Sequence, residues 1–312
     1  MVTTLSFGGY QGDNSVHTRG ARVFRDAVAR LPGGTVEVEF HQNIVEAGHK
    51  ASDLLSMTED GQLDGCYFSS SYLASRVPEL ALFDQHFAVL NRRQAYSVLD
   101  GKLGQRLAQE VEANTGFTVL GYWDNGLRHI SSVDKALHHP ADCKGLKLRT
   151  LASDDHQRVF RALGFEPMAI DVRDLPNAVA TGQVDAQENP LTNIYNFDLH
   201  KTHRTITLTG HLLGVALVLF NSKAVAGWTP EVRKVVRGAL AEATIAQREI
   251  AEQDDEVCTS ALIADGVTFV SLSPQEREAF TQTTRDEVLK TRKRFSPELI
   301  AMFDEDLAKA PP

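Results

Sequence analysis

Two arginines and an asparagine stand where an α/β protein places a ligand. Arg128, in "GLRHI", lies just past one predicted strand, Arg149 ends the predicted strand "GLKLR", and Asn189 follows the strand in "TGQVDAQENP". Ligands of open α/β sheets lie outside the carboxyl ends of the strands. A guanidinium holds a carboxylate with two parallel hydrogen bonds, and an asparagine amide both donates and accepts. The three residues therefore predict a site for a small carboxylic acid. The alternative is that each arginine pairs with an acid of its own domain.

Signatures of catalysis and of nucleotide binding do not occur in the sequence. It contains no G-x-G-x-x-G, no P-loop, no G-x-S-x-G elbow and no H-E-x-x-H. His200 and His203 are three apart in "HKTHR" and His211 follows. No further ligand stands at strong metal-site spacing, which favours solvated or hydrogen-bonding histidines. We therefore predict a binding protein without catalytic residues, cofactor or metal, and not an enzyme.

Composition and charge narrow the class of protein further. The chain has 312 residues, of which 42% are hydrophobic and 23% charged, and its formal net charge is −9. These values are typical of a globular protein with a large core, and they argue against a nucleic-acid partner. The longest apolar run, 212–220, is shorter than the ~18–20 residues that span a membrane, and it predicts a buried strand. Cys66, Cys143 and Cys258 are far apart, so we expect inert buried thiols and no disulfide framework.

Strand and helix patterns alternate along most of the chain. "TTLSFGGY" and "GGTVEVEFHQ" alternate like strands, and Ala21, Phe24, Val28 and Leu31 recur between them at helical spacing. A later region repeats this order with the strand "GLKLRT", the helix "SDDHQRVFRALG" and the strand "EPMAI". Such alternation predicts βαβ units and a mainly parallel sheet.

Length and connectivity predict two α/β domains. "FTVLGYWDNGLRHISS" leads from the first region into the second, and "RTITLTGHLLGVALVLFNS" leads back. The predicted division assigns 1–123 and 213–252 to domain I, and 124–212 and 253–312 to domain II. A helix that begins at the cap residue Thr229 is long enough to span both domains, and the final predicted helix begins at "SPQERE".

Five motifs in order give the chain a family resemblance. "GLRHISS", "HPADCKGLKLRT", "LGFEPMAI", "TGQVDAQENP" and "LTGHLLGVALVLFNS" resemble the core motifs of the solute-binding proteins of tripartite ATP-independent periplasmic (TRAP) transporters, DctP type. "DGQLDG" and "VPELALFDQHF" agree with the same family in the first half of the chain. The resemblance covers nearly the whole sequence. It implies two Rossmann-like α/β domains, joined by hinge strands and a long spanning helix, with the ligand cleft between them.

The resemblance also implies a function in transport. Proteins of this kind capture an organic acid in the periplasm, close around it and deliver it to the membrane subunits of a sodium-driven transporter. We therefore expect a periplasmic monomer, and because no export signal precedes "MVTTLSFGGY", we expect that signal to have been removed. Two alternatives stay open: a ligand sensor that signals to a membrane receptor, and an enzyme that uses Glu188 as a base.

Ligand-binding residues are implied by the positions that match the family motifs. Arg149 matches the arginine that pairs with the ligand carboxylate, Arg128 matches a second basic contact, and Asn189 matches a polar contact. The other expected ligand-binding residues are Gln187, Glu188, Trp123, Gln11 and Ser69. Gln187 and Glu188 are expected to organise the loop around Asn189, and core packing is the alternative for Trp123.

The sequence departs from the family pattern at three places. His86 in "FDQHF" stands where the family often has proline, and Gly214 stands where some relatives have a polar ligand contact. The segment "DVRDLPNAVATGQVDA" is slightly longer than the usual form. Since that loop helps to shape the pocket in relatives, we expect the ligand to differ in size.

Overall fold

The computed structural model describes residues 2–30 and 34–310 of a mixed α/β protein. The first elements in the chain are β1 (Thr3–Gly8), α1 (Val16–Arg30), β2 (Val36–His41), α2 (Asp53–Glu59), β3 (Gly65–Ser69), α3 (Arg92–Asp100) and α4 (Lys102–Asn114). The middle elements are β4 (Phe117–Ser132), β5 (Lys147–Thr150), α5 (Asp154–Ala162), β6 (Glu166–Ala169), α6 (Leu175–Ala180), β7 (Ala186–Pro190), α7 (Leu191–Asn196) and β8 (Thr205–Leu208). The last elements are β9 (Leu213–Asn221), α8 (Ser222–Gly227), α9 (Pro230–Ala264), β10 (Thr268–Ser271), α10 (Pro274–Arg292) and α11 (Pro297–Ala308).

These elements divide into two units. The first unit comprises Met1–Ser70, Leu107–Asn125 and Val215–Asp254, and the second comprises Ser71–Arg106, Gly126–Gly214 and Asp255–Pro312. Strands β4 and β9 and helices α4 and α9 contribute residues to both units. The predicted domain I differs from the first unit by including residues 71–106, which the structure groups with the second unit. That the two domains form the walls of a ligand cleft stays a prediction.

In the first unit, strand β1 lies between two parallel neighbours. It pairs in parallel with β2 and β3, and β3 pairs antiparallel with β9. Phe7 of β1 is completely buried and meets Phe24 of α1 edge-on, with ring centroids 5.5 Å apart. Ala21, Phe24 and Val28 are buried together, which confirms the predicted helical face. Leu31, the fourth residue of that predicted face, lies outside the described residues.

In the second unit, strand β5 lies between the parallel strands β6 and β7. Strand β4 pairs antiparallel with β7 and β8, and β8 pairs in parallel with β10. The parallel ladders follow the prediction of βαβ units. The sequence does not reveal the antiparallel ladders of β4 and β9, because strand direction depends on the path of the chain and not on the residues of one strand. Buried residues of β4, β5, α5 and β7 form a core there: Ile130, Leu148, Phe160 and Ala186.

The C-terminal part of the chain is mainly helical. Helix α9 has 35 residues, which corresponds to about 52 Å, and the Thr229 hydroxyl accepts the Val232 N–H at 3.2 Å as its predicted N-cap. Helix α10 begins with a capping box of Ser273 and Glu276. Helix α11, capped by Ser296, is absent from the sequence-based prediction, although "FSPEL" has the same Ser-Pro start. Among the described residues, no helix combines the length and apolar character that crossing a bilayer would need.

The three cysteines are free and buried. Cys66 lies in β3 and Cys258 in α9, whereas Cys143 precedes β5. Burial raises the pKa of Cys66 and that of Cys143 to about 12. Because the thiolate is the reactive form, these two thiols are unreactive at neutral pH, as the sequence predicted.

Asp306 links helix α11 to the rest of the second unit through hydrogen bonds. Its carboxylate is completely buried, and its Oδ2 accepts the Leu103 N–H, at the start of α4, at 2.9 Å. Its backbone carbonyl accepts the Ser97 hydroxyl at 2.6 Å. One residue thus connects α11 to both α3 and α4.

We expect Asp306→Ala to lower the free energy of unfolding by about 1–3 kcal/mol, because it leaves the buried Leu103 N–H without an acceptor. Glu305→Ala is the matched control. Glu305 is exposed, and its surface pair with Lys102 contributes at most about 1 kcal/mol. Urea unfolding followed by circular dichroism compares the two variants. Equal losses would contradict the anchoring role of Asp306.

Candidate functional site

Five of the predicted ligand-binding residues lie on adjacent strands of the second unit. Arg128 belongs to β4 and Arg149 to β5, and the strand between them, β7, carries Gln187, Glu188 and Asn189. The register places Gln187 opposite Arg149. The sheet therefore brings together side chains that are far apart in the sequence.

Arg128 and Glu188 form a buried ion pair, and the exposed fractions of their side chains are 1% and 0%. Arg128 Nη2 donates to Glu188 Oε1 at 2.9 Å and to the Glu188 carbonyl at 2.7 Å, and Nε donates to Oε2. The same Nη2 lies 3.3 Å from Asn189 Oδ1. Arg128 is thus paired with an acid of its own unit, which is the alternative that the sequence left open.

Glu188 is ionised although it is completely buried. Burial by itself raises the pKa of Glu188, but Arg128, His156 and His211 outweigh this effect and hold the pKa well below its usual range. His211 Nε2 lies 3.3 Å from Oε2, and His156 Nε2 lies 3.7 Å from Oε1. Glu188 is therefore a fixed anion within the second unit.

Arg149 differs from Arg128 because one of its donors has no acceptor. Its side chain is buried, and Nε donates to the Ile170 carbonyl at 2.9 Å. Nη2 is also buried, and it has no hydrogen-bond partner among the described residues. Burial lowers the pKa of Arg149, while Tyr72 and Glu188 oppose the shift. Since a buried donor without a partner costs about 1–3 kcal/mol, and more when it is charged, Nη2 is suited to an anionic oxygen.

A chain of buried amides fixes the orientation of Asn189. Its Nδ2 donates to Gln187 Oε1 at 2.6 Å, and Gln187 Nε2 donates to Ser131 Oγ at 2.6 Å. Asn193 Nδ2 donates to Asn189 Oδ1 at 3.3 Å. His203 Nδ1 lies 3.1 Å from Ser131 Oγ, and burial lowers the pKa of His203 to about 4, so the ring is neutral. Residues on β4, β7 and α7 thus hold the asparagine in one orientation.

Gln11 and Ser69 lie in the first unit, and both are buried. Gln11 Oε1 accepts from the Ser15 hydroxyl and lies 3.0 Å from His17 Nδ1. Burial lowers the pKa of His17 to about 4, against the opposing effect of Asp124. The neutral ring therefore donates from Nδ1, because the amide oxygen can only accept. The partners of Gln11 fix its side chain within its own unit.

Trp123 belongs to the core of the first unit. Its side chain is completely buried, and its ring centroid lies 5.7 Å from that of Tyr67 and 6.5 Å from that of Phe7. The indole Nε1 donates to Thr244 Oγ1 at 3.2 Å. These contacts support core packing, the alternative to ligand contact that the sequence left open.

His200, His203 and His211, for which the sequence favoured a hydrogen-bonding role over metal binding, have separate partners. His200 Nε2 lies 3.2 Å from Asp265 Oδ2, and His203 faces strand β4. His211 Nδ1 lies 2.8 Å from Thr209 Oγ1. The three histidines therefore lie against three different residues, Asp265, Ser131 and Thr209.

A different set of histidines lies together in the second unit. His86, His156 and His211 each offer one nitrogen within 4.8 Å of the others. His86 is visible in the sequence as a departure from the family pattern, but no spacing connects it with His156 or His211. Only the folded chain shows that these residues could hold a metal ion.

Comparison with known proteins defines the class. The family model of the bacterial extracellular solute-binding proteins, family 7 (DctP), matches residues 7–294. The chain belongs to this family, and the resemblance seen in its motifs is confirmed.

Two solved structures share the fold along nearly the whole chain. The sugar acid binding protein DctPAm from Advenella mimigardefordensis, in complex with galactonate, is 26% identical, with a TM-score of 0.93 over 100% of both chains. A TRAP periplasmic solute-binding protein from Sulfurospirillum deleyianum, with bound succinate, is 28% identical, with a TM-score of 0.89 over 97% of this chain and 99% of that chain. The predicted α/β fold class is thereby confirmed.

One relative is considerably longer than this chain. The uncharacterized protein y4mM of Sinorhizobium fredii is 31% identical over 293 residues, which are 93% of this chain and 52% of the relative. The chain thus spans about half the length of that protein.

We expect Glu188→Gln to lower the free energy of unfolding by about 3–5 kcal/mol, because it leaves the charge of Arg128 buried and unpaired. Glu242→Gln is the control with the same chemical change. Glu242 pairs with Arg30 on the surface, so a change of about 1 kcal/mol or less is expected. Chemical denaturation at neutral pH measures both. A Glu188→Gln protein as stable as the control would show that the pair does not hold the second unit together.

Proposed function

We propose that the protein binds a small organic acid by pairing its carboxylate with Arg149. The observation that carries this proposal is Arg149 Nη2, a buried cationic donor without an acceptor among the described residues. A carboxylate oxygen is a charged acceptor, so its hydrogen bond to Nη2 is about twice as strong as a neutral one. An uncharged analogue would leave the buried guanidinium unpaired, which gives the site selectivity for acids.

The balance of charge around Arg149 supports this role. Arg128 and Glu188 neutralise each other, so a bound anion would balance the charge of Arg149. Asn189 is fixed on the strand next to that of Arg149. We assign to its amide a hydrogen bond with a polar group of the acid close to the carboxylate. We assign to Gln187 the role of orienting Asn189, and to Glu188 the role of orienting Arg128.

The remaining site residues are proposed on the family resemblance. Gln11 and Ser69 are assigned further polar contacts of the ligand. Trp123 is assigned the role of supporting Gln11 through His17. Its ring stacks on that of His17 with the centroids 6.4 Å apart, and His17 contacts the Gln11 amide. Arg128 is assigned the role of the second basic residue of the site. It acts on the ligand through its positive charge and through its contact with Asn189.

The ligands of the two similar structures agree with an acid. Galactonate and succinate both carry a carboxylate, and each is bound by a protein of the same fold. We propose that this chain, too, binds its acid outside the cytoplasm, as a monomer, and passes it to TRAP-type membrane subunits. Stimulation of acid uptake by vesicles that contain such subunits distinguishes this function from ligand sensing.

An enzymatic role of Glu188 receives no support from the geometry. Its pKa lies well below the usual range, and a carboxylate of that kind is a weak general base at neutral pH. Mass spectrometry of the bound acid after incubation with the protein tests this directly, and the acid should be recovered unchanged.

A thermal-shift screen identifies the acid. We expect succinate, galactonate or a related acid to raise the melting temperature by mass action, whereas the corresponding methyl ester or amide should not. Equal shifts with an acid and its ester would contradict recognition of the carboxylate.

The role of Arg149 is tested by calorimetric titration with the acid that the screen identifies. Arg149→Ala should weaken binding more than about 100-fold, because removing one partner of a buried pair costs about 3–5 kcal/mol. Arg149→Lys should bind at an intermediate strength, because lysine keeps the charge but lacks the planar pair of donors. The control is Arg161→Ala, an exposed arginine of the same unit whose Nη2 donates to Gln157. Unchanged affinity in Arg149→Ala would refute the proposal.

A further inference from the structure

Three buried histidines of the second unit lie together, and the proposed function assigns none of them a contact with the acid. His156 lies in α5, whereas His86 and His211 lie in the segments before α3 and β9. The ring centroids of His86 and His156 are 4.6 Å apart, and those of His86 and His211 are 5.3 Å apart. We call His86, His156 and His211 the histidine cluster.

Several polar atoms in and beside the histidine cluster have no hydrogen-bond partner among the described residues. They are His86 Nε2, both ring nitrogens of His156 and both carboxyl oxygens of Asp84. Asp84 is buried, and it is close enough to His156 for their charges to interact. Buried polar groups are nearly always paired. The unpaired nitrogens of His86 and His156 indicate a ligand that is not part of the chain, and one cation could bind both rings.

His86 and His156 each have a ring nitrogen without a hydrogen-bond partner among the described residues, and His211 would turn its Nε2 from Glu188 to the ion. All three rings are buried, and each can offer one nitrogen to a common ion. A neutral imidazole is the form that binds metals. The contact of 2.8 Å between His211 Nδ1 and Thr209 Oγ1 orients the ring from outside, as second partners do for metal-binding histidines.

We propose that the histidine cluster binds a divalent transition-metal ion, zinc in the first place, through one ring nitrogen of each histidine. Three imidazole nitrogens are a ligand set that Zn²⁺ takes in tetrahedral sites, with water or another small ligand in the fourth position. Mg²⁺ and Ca²⁺ prefer oxygen ligands and fit this set poorly. Zinc–nitrogen bonds of about 2.0–2.1 Å place the ligand nitrogens about 3.3 Å apart. Rotation of the rings must therefore draw the nitrogens together from their separation of up to 4.8 Å.

The backbone next to the histidine cluster is held in an unusual conformation. Phe87, directly after His86, has a φ of 60°, in the left-handed region that residues other than glycine rarely adopt. Its N–H donates to the His211 carbonyl at 2.5 Å, which ties two segments of the cluster together. Such strain persists where the surrounding structure enforces it, often at ligand sites.

A bound ion would act close to the site of the proposed function. His211 Nε2 and His156 Nε2 both face Glu188, the residue that holds Arg128. The ion would thus be a structural one that fixes the surroundings of Glu188, and it is independent of which acid the protein binds.

The test is calorimetric titration of tag-free protein with Zn²⁺ after removal of metals by a chelator. We expect one ion per chain with a dissociation constant of about 1 µM or less. His156→Gln and His86→Gln should each weaken binding more than about 100-fold, because the loss of an outer partner alone costs about 10- to 100-fold. His49→Gln, at an exposed histidine of the first unit, should leave binding unchanged. Zn²⁺ should also raise the melting temperature of the wild type but not that of His156→Gln.

Three results would overturn the proposal: no binding at 100-fold higher Zn²⁺, about 100 µM, binding that survives both cluster variants, or binding that is lost in His49→Gln. Circular dichroism verifies that the variants are folded. If they are not, the visible spectrum of the wild-type protein with Co²⁺ decides the question. Intense absorption of a four-coordinate ion supports the histidine cluster, and the weak spectrum of a six-coordinate ion refutes it.

Discussion

The buried ion pair between Arg128 and Glu188 is the interaction on which the arrangement of the second unit depends. It joins β4 to β7 through both the carboxylate and the backbone carbonyl of Glu188, and it also reaches Asn189. A buried pair adds little net stability relative to apolar residues, but the loss of one partner is costly. The pair therefore fixes geometry more than it adds stability, and the position of Asn189 follows from it.

The same pair allows a second guanidinium to be buried nearby. Burial lowers the pKa of Arg149, the charge of Glu188 opposes this shift, and the charge of Arg128 adds to it. Without Glu188, two buried cations on neighbouring parts of one sheet would repel each other in a medium of low dielectric constant. Among these three side chains one positive charge remains, which suits a monoanionic group.

Local sequence patterns predicted the ends of strands and the starts of helices in this arrangement. Strand periodicity placed Arg149 at the end of a strand, where it lies, and the capping motifs placed the starts of α9 and α10. The pairing of Arg128 with Glu188 depends on the register of β4 against β7, a long-range property, so the sequence left two interpretations open. The histidine cluster combines three distant segments, and no spacing in the chain could predict it. Helix α11 could have been predicted with the same capping rules that identified α10, because it also begins with Ser-Pro.

The burial of all three cysteines has a consequence for experiments on this protein. Cys66, Cys143 and Cys258 lie inside the fold, and burial raises the pKa of the first two far above neutrality. Electrophilic reagents, which react with accessible thiolates, should therefore spare these buried thiols in the native chain. A single cysteine introduced on the surface of either unit could carry a fluorescent dye without removal of the natural ones. Motions that accompany ligand binding could thus be followed in a protein whose core is unchanged.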